Sequence, residues 1–133
     1  MIAKTVKYED YNGVEREEKF FFNLTQAEVT EMELSINGGL GEYITRIVAA
    51  SDTAEIVKVF KELLLKSYGE KTLDGKRFRK IDDKGTPLSI AFSETEAYSK
   101  LFMELATDDV KAAEFVNGIM PSDVVEKAKN EGK

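Results

Sequence analysis

Between Asp52 and Ser67, six apolar residues (Ile56, Val57, Val59, Phe60, Leu63 and Leu64) fall within about 160° of arc when the chain is wound at 100° per residue. Lys58, Lys61, Glu62 and Lys66 lie outside that arc, and so does Leu65, an apolar stray. Asp52-x-x-Glu55 adds a capping pattern, with acidic groups at the positive end of the helix dipole. The spacing predicts an amphipathic helix that buries one broad face in a core.

The residues before it alternate. Ile2, Val6 and Tyr8 share one parity, and Val14, Phe20 and Phe22 share one beyond Asn12-Gly13, a pair suited to the positive φ of a tight turn. This predicts a β-hairpin, with Phe21 facing away from its two neighbours. Thr25-x-x-Glu28 is a capping box opening a helix to about Ile36, which accounts for Asn23-Leu24-Thr25 as helix-start chemistry rather than a glycosylation signal. Gly38-Gly39-Leu40-Gly41 stops that helix, and a short one through Tyr43, Ile44, Ile47 and Val48 follows.

Tyr68-Gly69 ends the amphipathic helix, and residues 70–86 read as a polar loop or small hairpin turning at Asp74-Gly75. Pro87 suits the first turn of a helix carrying Leu88 and Phe92. A helix over about 94–106 has Tyr98, Leu101, Phe102 and Leu105 on one face, with Met103 as its stray. Asp108 or Asp109 caps a last helix carrying Ala112, Phe115, Val116 and Ile119, and Pro121 follows it. The expected fold is one mostly helical α+β domain over residues 1–121. An N-terminal β-hairpin precedes a compact bundle of about five helices. Residues 122–133 form a polar tail, a short helix or a frayed end.

Composition narrows the chemistry. The 133 residues include no histidine and no cysteine. Ser-His-Asp and Cys-His nucleophile systems, thiolate or imidazole zinc sites, iron–sulfur clusters and disulfides are therefore excluded. A formal charge of −6 disfavours nucleic acid and anionic membrane as partners. Apolar runs such as Ile47–Ala50 fall far short of the ~20 residues that span a bilayer, and Met1–Asp10 holds no signal-peptide core. A soluble cytoplasmic chain is expected, without a cofactor.

Four features could carry function. Gly38-Gly39-Leu40-Gly41 lacks the Gly-Lys-Ser/Thr end of a phosphate-binding loop and reads as a structural turn. The carboxylate groups Glu15/Glu17/Glu18, Glu28/Glu31/Glu33, Asp82/Asp83 and Asp108/Asp109 read as solvated faces and caps, so no catalytic or metal-binding residue is predicted. Lys71, Lys76, Arg77, Arg79 and Lys80 set five cations against Asp74, a local net of +4 that leaves the rest of the chain at −10. With Phe78 among them, they are candidates for contact with an acidic partner or a polyanion, or a loop that pairs with acidic surface. Phe21, Leu65 and Met103 point away from their elements' main stripes, and are candidate partner-binding residues if they converge.

Several segments together resemble a known family. Lys4-Thr5-Val6-Lys7-Tyr8 and Asp10-Tyr11-Asn12-Gly13-Val14-Glu15-Arg16 come first, then Phe20-Phe21-Phe22-Asn23-Leu24-Thr25 with Glu28 and Glu31-Met32-Glu33-Leu34. Ser67-Tyr68-Gly69-Glu70-Lys71, Asp74-Gly75-Lys76-Arg77-Phe78 and Ser93-Glu94-Thr95-Glu96-Ala97-Tyr98 follow, the last running into Leu101-Phe102-Met103-Glu104-Leu105-Ala106. In this order and at this length, they resemble the tail assembly chaperones of long-tailed bacteriophages of Gram-positive hosts. The likeness covers about residues 1–121. Asp83 to Phe92 departs from it, with Gly85-Thr86-Pro87 where the family pattern has a charged helical stretch.

The resemblance implies a non-enzymatic protein of the infected cell. It would bind the tape-measure protein, keep it soluble, help tail-tube subunits polymerise around it, and be absent from the mature virion. It also implies, for some members, a longer frameshifted form, and self-association fits the mixed surface charge. Two other classes fit the residues: a structural virion component, such as a head–tail joining or tail-completion protein, and a small nucleic-acid-associated regulator using residues 71–80.

Overall fold

The computed structural model describes residues 1–35 and 53–121. Strands β1 (Ile2–Glu9) and β2 (Glu15–Phe22) precede helix α1 (Gln26–Ser35). Helix α2 (Thr53–Ser67) leads into strands β3 (Tyr68–Lys71) and β4 (Phe78–Arg79). Helices α3 (Leu88–Ser93), α4 (Glu96–Thr107) and α5 (Asp109–Ile119) complete the described chain. This is the mostly helical α+β class that the periodicities predict. The Gly38–Gly41 turn, the helix through Tyr43 and Val48, the Asp52 cap and the 122–133 tail lie outside the described residues.

The local signals act as their chemistry dictates. Asp10 Oδ1 accepts from the Asn12 and Val14 amides, Arg16 Nε reaches Asp10 Oδ2 at 2.6 Å, and Gly13 takes φ 78°. That hydrogen bond from Arg16, with the amide bonds, holds the Asp10 carboxyl below its usual range. Thr25 and Glu28 close the capping box: Thr25 N–H donates to Glu28 Oε1 at 2.9 Å, and Glu28 N–H to Thr25 Oγ1 at 3.2 Å. Thr95 caps α4, and Asp108 accepts from the Val110 and Lys111 amides to cap α5. Val14 departs from expectation. It sits in the turn, exposed, because the strand pairing ends at Glu9–Glu15.

Both hairpins belong to one antiparallel sheet in the order β1-β2-β3-β4. Residues 70–86 thus hold the small hairpin that Asp74-Gly75 predicts, and that hairpin joins the first one in a single sheet. α2 passes at Tyr68 straight into β3, which pairs Phe21 with Gly69 and Phe22 with Tyr68. One sheet face carries Val6 and Phe22 into a core with Leu24, Val29, Leu63 and Leu64. Phe92, Leu101, Phe115 and Ile119 close it from the helices after the sheet. Phe92 stacks on Tyr68 at 4.2 Å, and Phe22 meets Phe115 edge-on at 5.3 Å, so aromatic contacts bind β2, β3, α3 and α5 into one body.

Candidate functional site

The sheet order leaves β1 with one side unpaired. Asp10 N–H donates to Val14 O at 2.9 Å, just beyond the Glu9–Glu15 pair. Antiparallel alternation then makes Tyr8, Val6, Lys4 and Ile2 the residues bonded to β2. Ala3, Thr5, Lys7 and Glu9 aim their backbone N–H and C=O groups outward. Among the described residues, one side chain reaches this row: Lys100 of α4, whose Nζ donates to Lys7 O at 2.6 Å.

α4 lines the same edge. A groove of about 510 Å³ lies between them, bounded by Tyr8, Tyr11, Glu96, Ser99, Lys100 and Met103. It adjoins a hollow of about 540 Å³ along Thr5, Val6, Leu101 and Glu104, and another of about 580 Å³ around Lys7, Glu15, Arg16 and Glu17. Val6 and Leu101, which line the 540 Å³ hollow, are buried in the core, whereas Tyr11 and Met103 of the adjoining groove are 75% and 53% exposed. The rim of these hollows carries six carboxylates (Glu9, Asp10, Glu15, Glu17, Glu96 and Glu104) against Lys7, Arg16 and Lys100.

Hydrogen bonds fix part of that rim. The Glu96 carboxylate facing Tyr11 raises that phenol above its ordinary range, and the Tyr8 hydroxyl, which donates to Glu18, is raised as well. Asp10 is paired with Arg16, and Glu104 accepts from Lys111 at 2.9 Å. Glu9, Glu15 and Glu17 form no ion pair among the described residues. The groove is thus an acidic channel with apolar side chains on its wall and unbonded backbone along one side. Such a channel suits a polypeptide.

The three stray apolar residues do not share it. Met103 lines the groove. Phe21 is half-buried on the outer face of the sheet, across from Gly69, with Lys19 over its ring at 5.9 Å. The Phe78 ring covers Gly69 from the same side, so Phe21 and Phe78 flank that glycine. Leu65 packs against the edge of the core.

The five cations separate as well. Lys71, Lys76 and Arg77 are exposed on the β3–β4 hairpin. Arg79 pairs with Asp83 at 3.0 Å. Lys80 turns inward to Glu28, Asn23 O and Lys66 O. Tyr11 and Lys100, central to the groove, are not among the residues the sequence singles out for a site, because their importance follows from β1 being an edge strand beside α4.

Among the described residues, no three carboxylates gather as a metal site, and no helix is long and apolar enough to cross a membrane. The geometry defines a small, mostly helical α+β domain. Compared with known proteins, the whole chain, residues 1–133, matches the family model described as phage tail assembly chaperone, and the chain belongs to that family. No curated protein and no solved structure matches it. Membership gives the chain a part in tail assembly and interaction with phage tail proteins, and suggests a non-enzymatic role.

Proposed function

We propose that this chain binds the tape-measure protein of a long-tailed phage, keeps it soluble, and promotes polymerisation of tail-tube subunits around it. It acts in the cytoplasm of the infected cell and leaves before the virion is complete. The supporting observation is the acidic groove between β1 and α4, where exposed Tyr11 and Met103 stand beside unbonded backbone. A holding chaperone needs apolar contact that can be released, and a soluble body, which a net charge of −6 favours. Micromolar contacts, about −8 kcal/mol each, would release readily and still accumulate along a long client.

Co-expression with the tape-measure protein tests this. The client should become soluble and co-purify, and mass spectrometry of purified particles should find the chaperone missing. A client that stays insoluble, with and without a longer frameshifted form, overturns the proposal. So does a chain retained in the particles, which would make it a structural component.

A further inference from the structure

We propose that the open edge of β1 captures the client by strand addition, pairing with an extended segment that carries lysine or arginine among apolar residues. This rests on the client-holding reading above and names how the client is gripped. An incoming strand needs a row of free donors and acceptors, and Ala3, Thr5, Lys7 and Glu9 present one.

Natural sheets protect such rows with charge or cover. The outer side of β2 is protected in that way: beyond its short pairing with β3, it bears Glu15, Glu17, Glu18 and Lys19. Along β1 the same row has charges only at Lys7 and Glu9, and its first half offers the small side chains of Ala3 and Thr5. Its guard is the Lys100 ammonium on Lys7 O, a long exposed side chain that can withdraw. An arriving backbone N–H would take its place at that carbonyl.

Charge selects the occupant. With Asp10 paired to Arg16 and Glu104 to Lys111, the four carboxylates Glu9, Glu15, Glu17 and Glu96 face only Lys7 and Lys100, an excess that favours a cationic segment. A second copy is a poorer match, since each copy carries −6 and would bring its own Glu9 and Glu15 to the junction. Tyr11 and Met103 give the segment's apolar side chains a wall to rest on.

Thr5→Pro is the discriminating variant. Thr5 N–H points outward, so proline removes an edge donor and adds bulk there while sparing the β1–β2 ladder. Two probes are used with the full chain: the co-expressed tape-measure protein, and a short synthetic peptide of alternating lysine and valine. Hydrogen exchange of the Ala3, Thr5, Lys7 and Glu9 amides reports on the edge itself.

Wild type should protect those amides when the peptide is added, and Thr5→Pro should bind roughly tenfold or more weakly. Lys100→Met, which removes the guard, should bind more tightly. If Thr5→Pro folds and holds both probes like wild type, strand addition is wrong while the chaperone reading stands. If the client never co-purifies but the peptide protects the edge, the chaperone reading falls and the strand site stands. Edge amides that neither probe protects overturn the proposal. So does a Thr5→Pro effect on self-association alone, which would give the edge to a second copy. Should Thr5→Pro fail to fold, Lys100→Met decides, and no gain in binding refutes strand addition.

Discussion

Lys80 Nζ lies 2.7 Å from Glu28 Oε2, joining the residue that directly follows β4 to the first turn of α1. The same ammonium donates to Asn23 O at 2.7 Å and to Lys66 O at 2.8 Å. An ammonium has three hydrogens, and all three are used. Glu28 meanwhile accepts the Thr25 amide through its other oxygen. One carboxylate therefore closes the helix cap and holds the cation that ties β4 to α1 and the end of α2. The Lys66 carbonyl belongs to the negative end of the α2 dipole, which also favours a cation there. Lys80→Met keeps the aliphatic stem and leaves these acceptors without their donor. Urea unfolding should show a loss of about 1–3 kcal/mol. A change within error would mean that water replaces the ammonium at no cost.

The pair also predicts an acid response. Burial pushes the Glu28 carboxyl upward, but the Lys80 hydrogen bond and the Thr25 amide outweigh it, so the group titrates below its ordinary 4.5. On Lys80, burial pushes the ammonium down further than Glu28 lifts it. A carboxyl with a lowered folded pKa contributes its full stability above the unfolded value and loses it as pH falls through the folded one. Glu28→Gln should thus be less stable than wild type at neutral pH, with the gap closing as pH drops below about 4.5. Stability curves for the two proteins from pH 7 to 3 check this, and a gap of constant size would contradict it.

Features decided within a few residues of chain were legible in the sequence. The Thr25–Glu28 box, the Asp108 cap, the Asn12-Gly13 turn and the stripe of α2 all depend on near neighbours. What joins distant segments was not. Phe21 opposite Gly69 makes one sheet of two hairpins, and the four residues of β3, two of them paired with β2, carry no alternation long enough to announce it. Lys80 read as one of five loop cations, since its three acceptors come from residues 23, 28 and 66. The groove was hidden for the same reason. Met103 stood out as a stray, but its neighbours Tyr8 and Tyr11 come from the other end of the chain.

Gly69 has no room for a side chain. A Cβ there would lie 2.5 Å from Phe78 Cε2 and 2.7 Å from Arg79 O. The ring could swing aside, but the carbonyl is backbone of the paired strand β4. Gly69→Ala should therefore force β3 and β4 apart and cost about 1–3 kcal/mol. Combining it with Phe78→Leu should recover only part of that loss, because the clash with Arg79 O remains. Full recovery in thermal melts would place the whole strain in the ring.

Leu65 and Met103 should respond differently to the same charge. Leu65 packs against the core, so Leu65→Asp brings a carboxylate to an apolar boundary and should lower stability measurably. Loss of client by that variant would follow from unfolding and would locate no surface. Met103 is 53% exposed on α4, so Met103→Asp should leave the melting curve within about 0.5 kcal/mol of wild type. It removes an apolar contact from the groove wall, an effect that its carboxylate partly offsets toward a cationic client, and it opposes no strand pairing directly. Client co-purification should fall without vanishing. Unchanged capture by a folded Met103→Asp would remove this residue from the binding surface and leave the backbone edge of β1 to carry the contact.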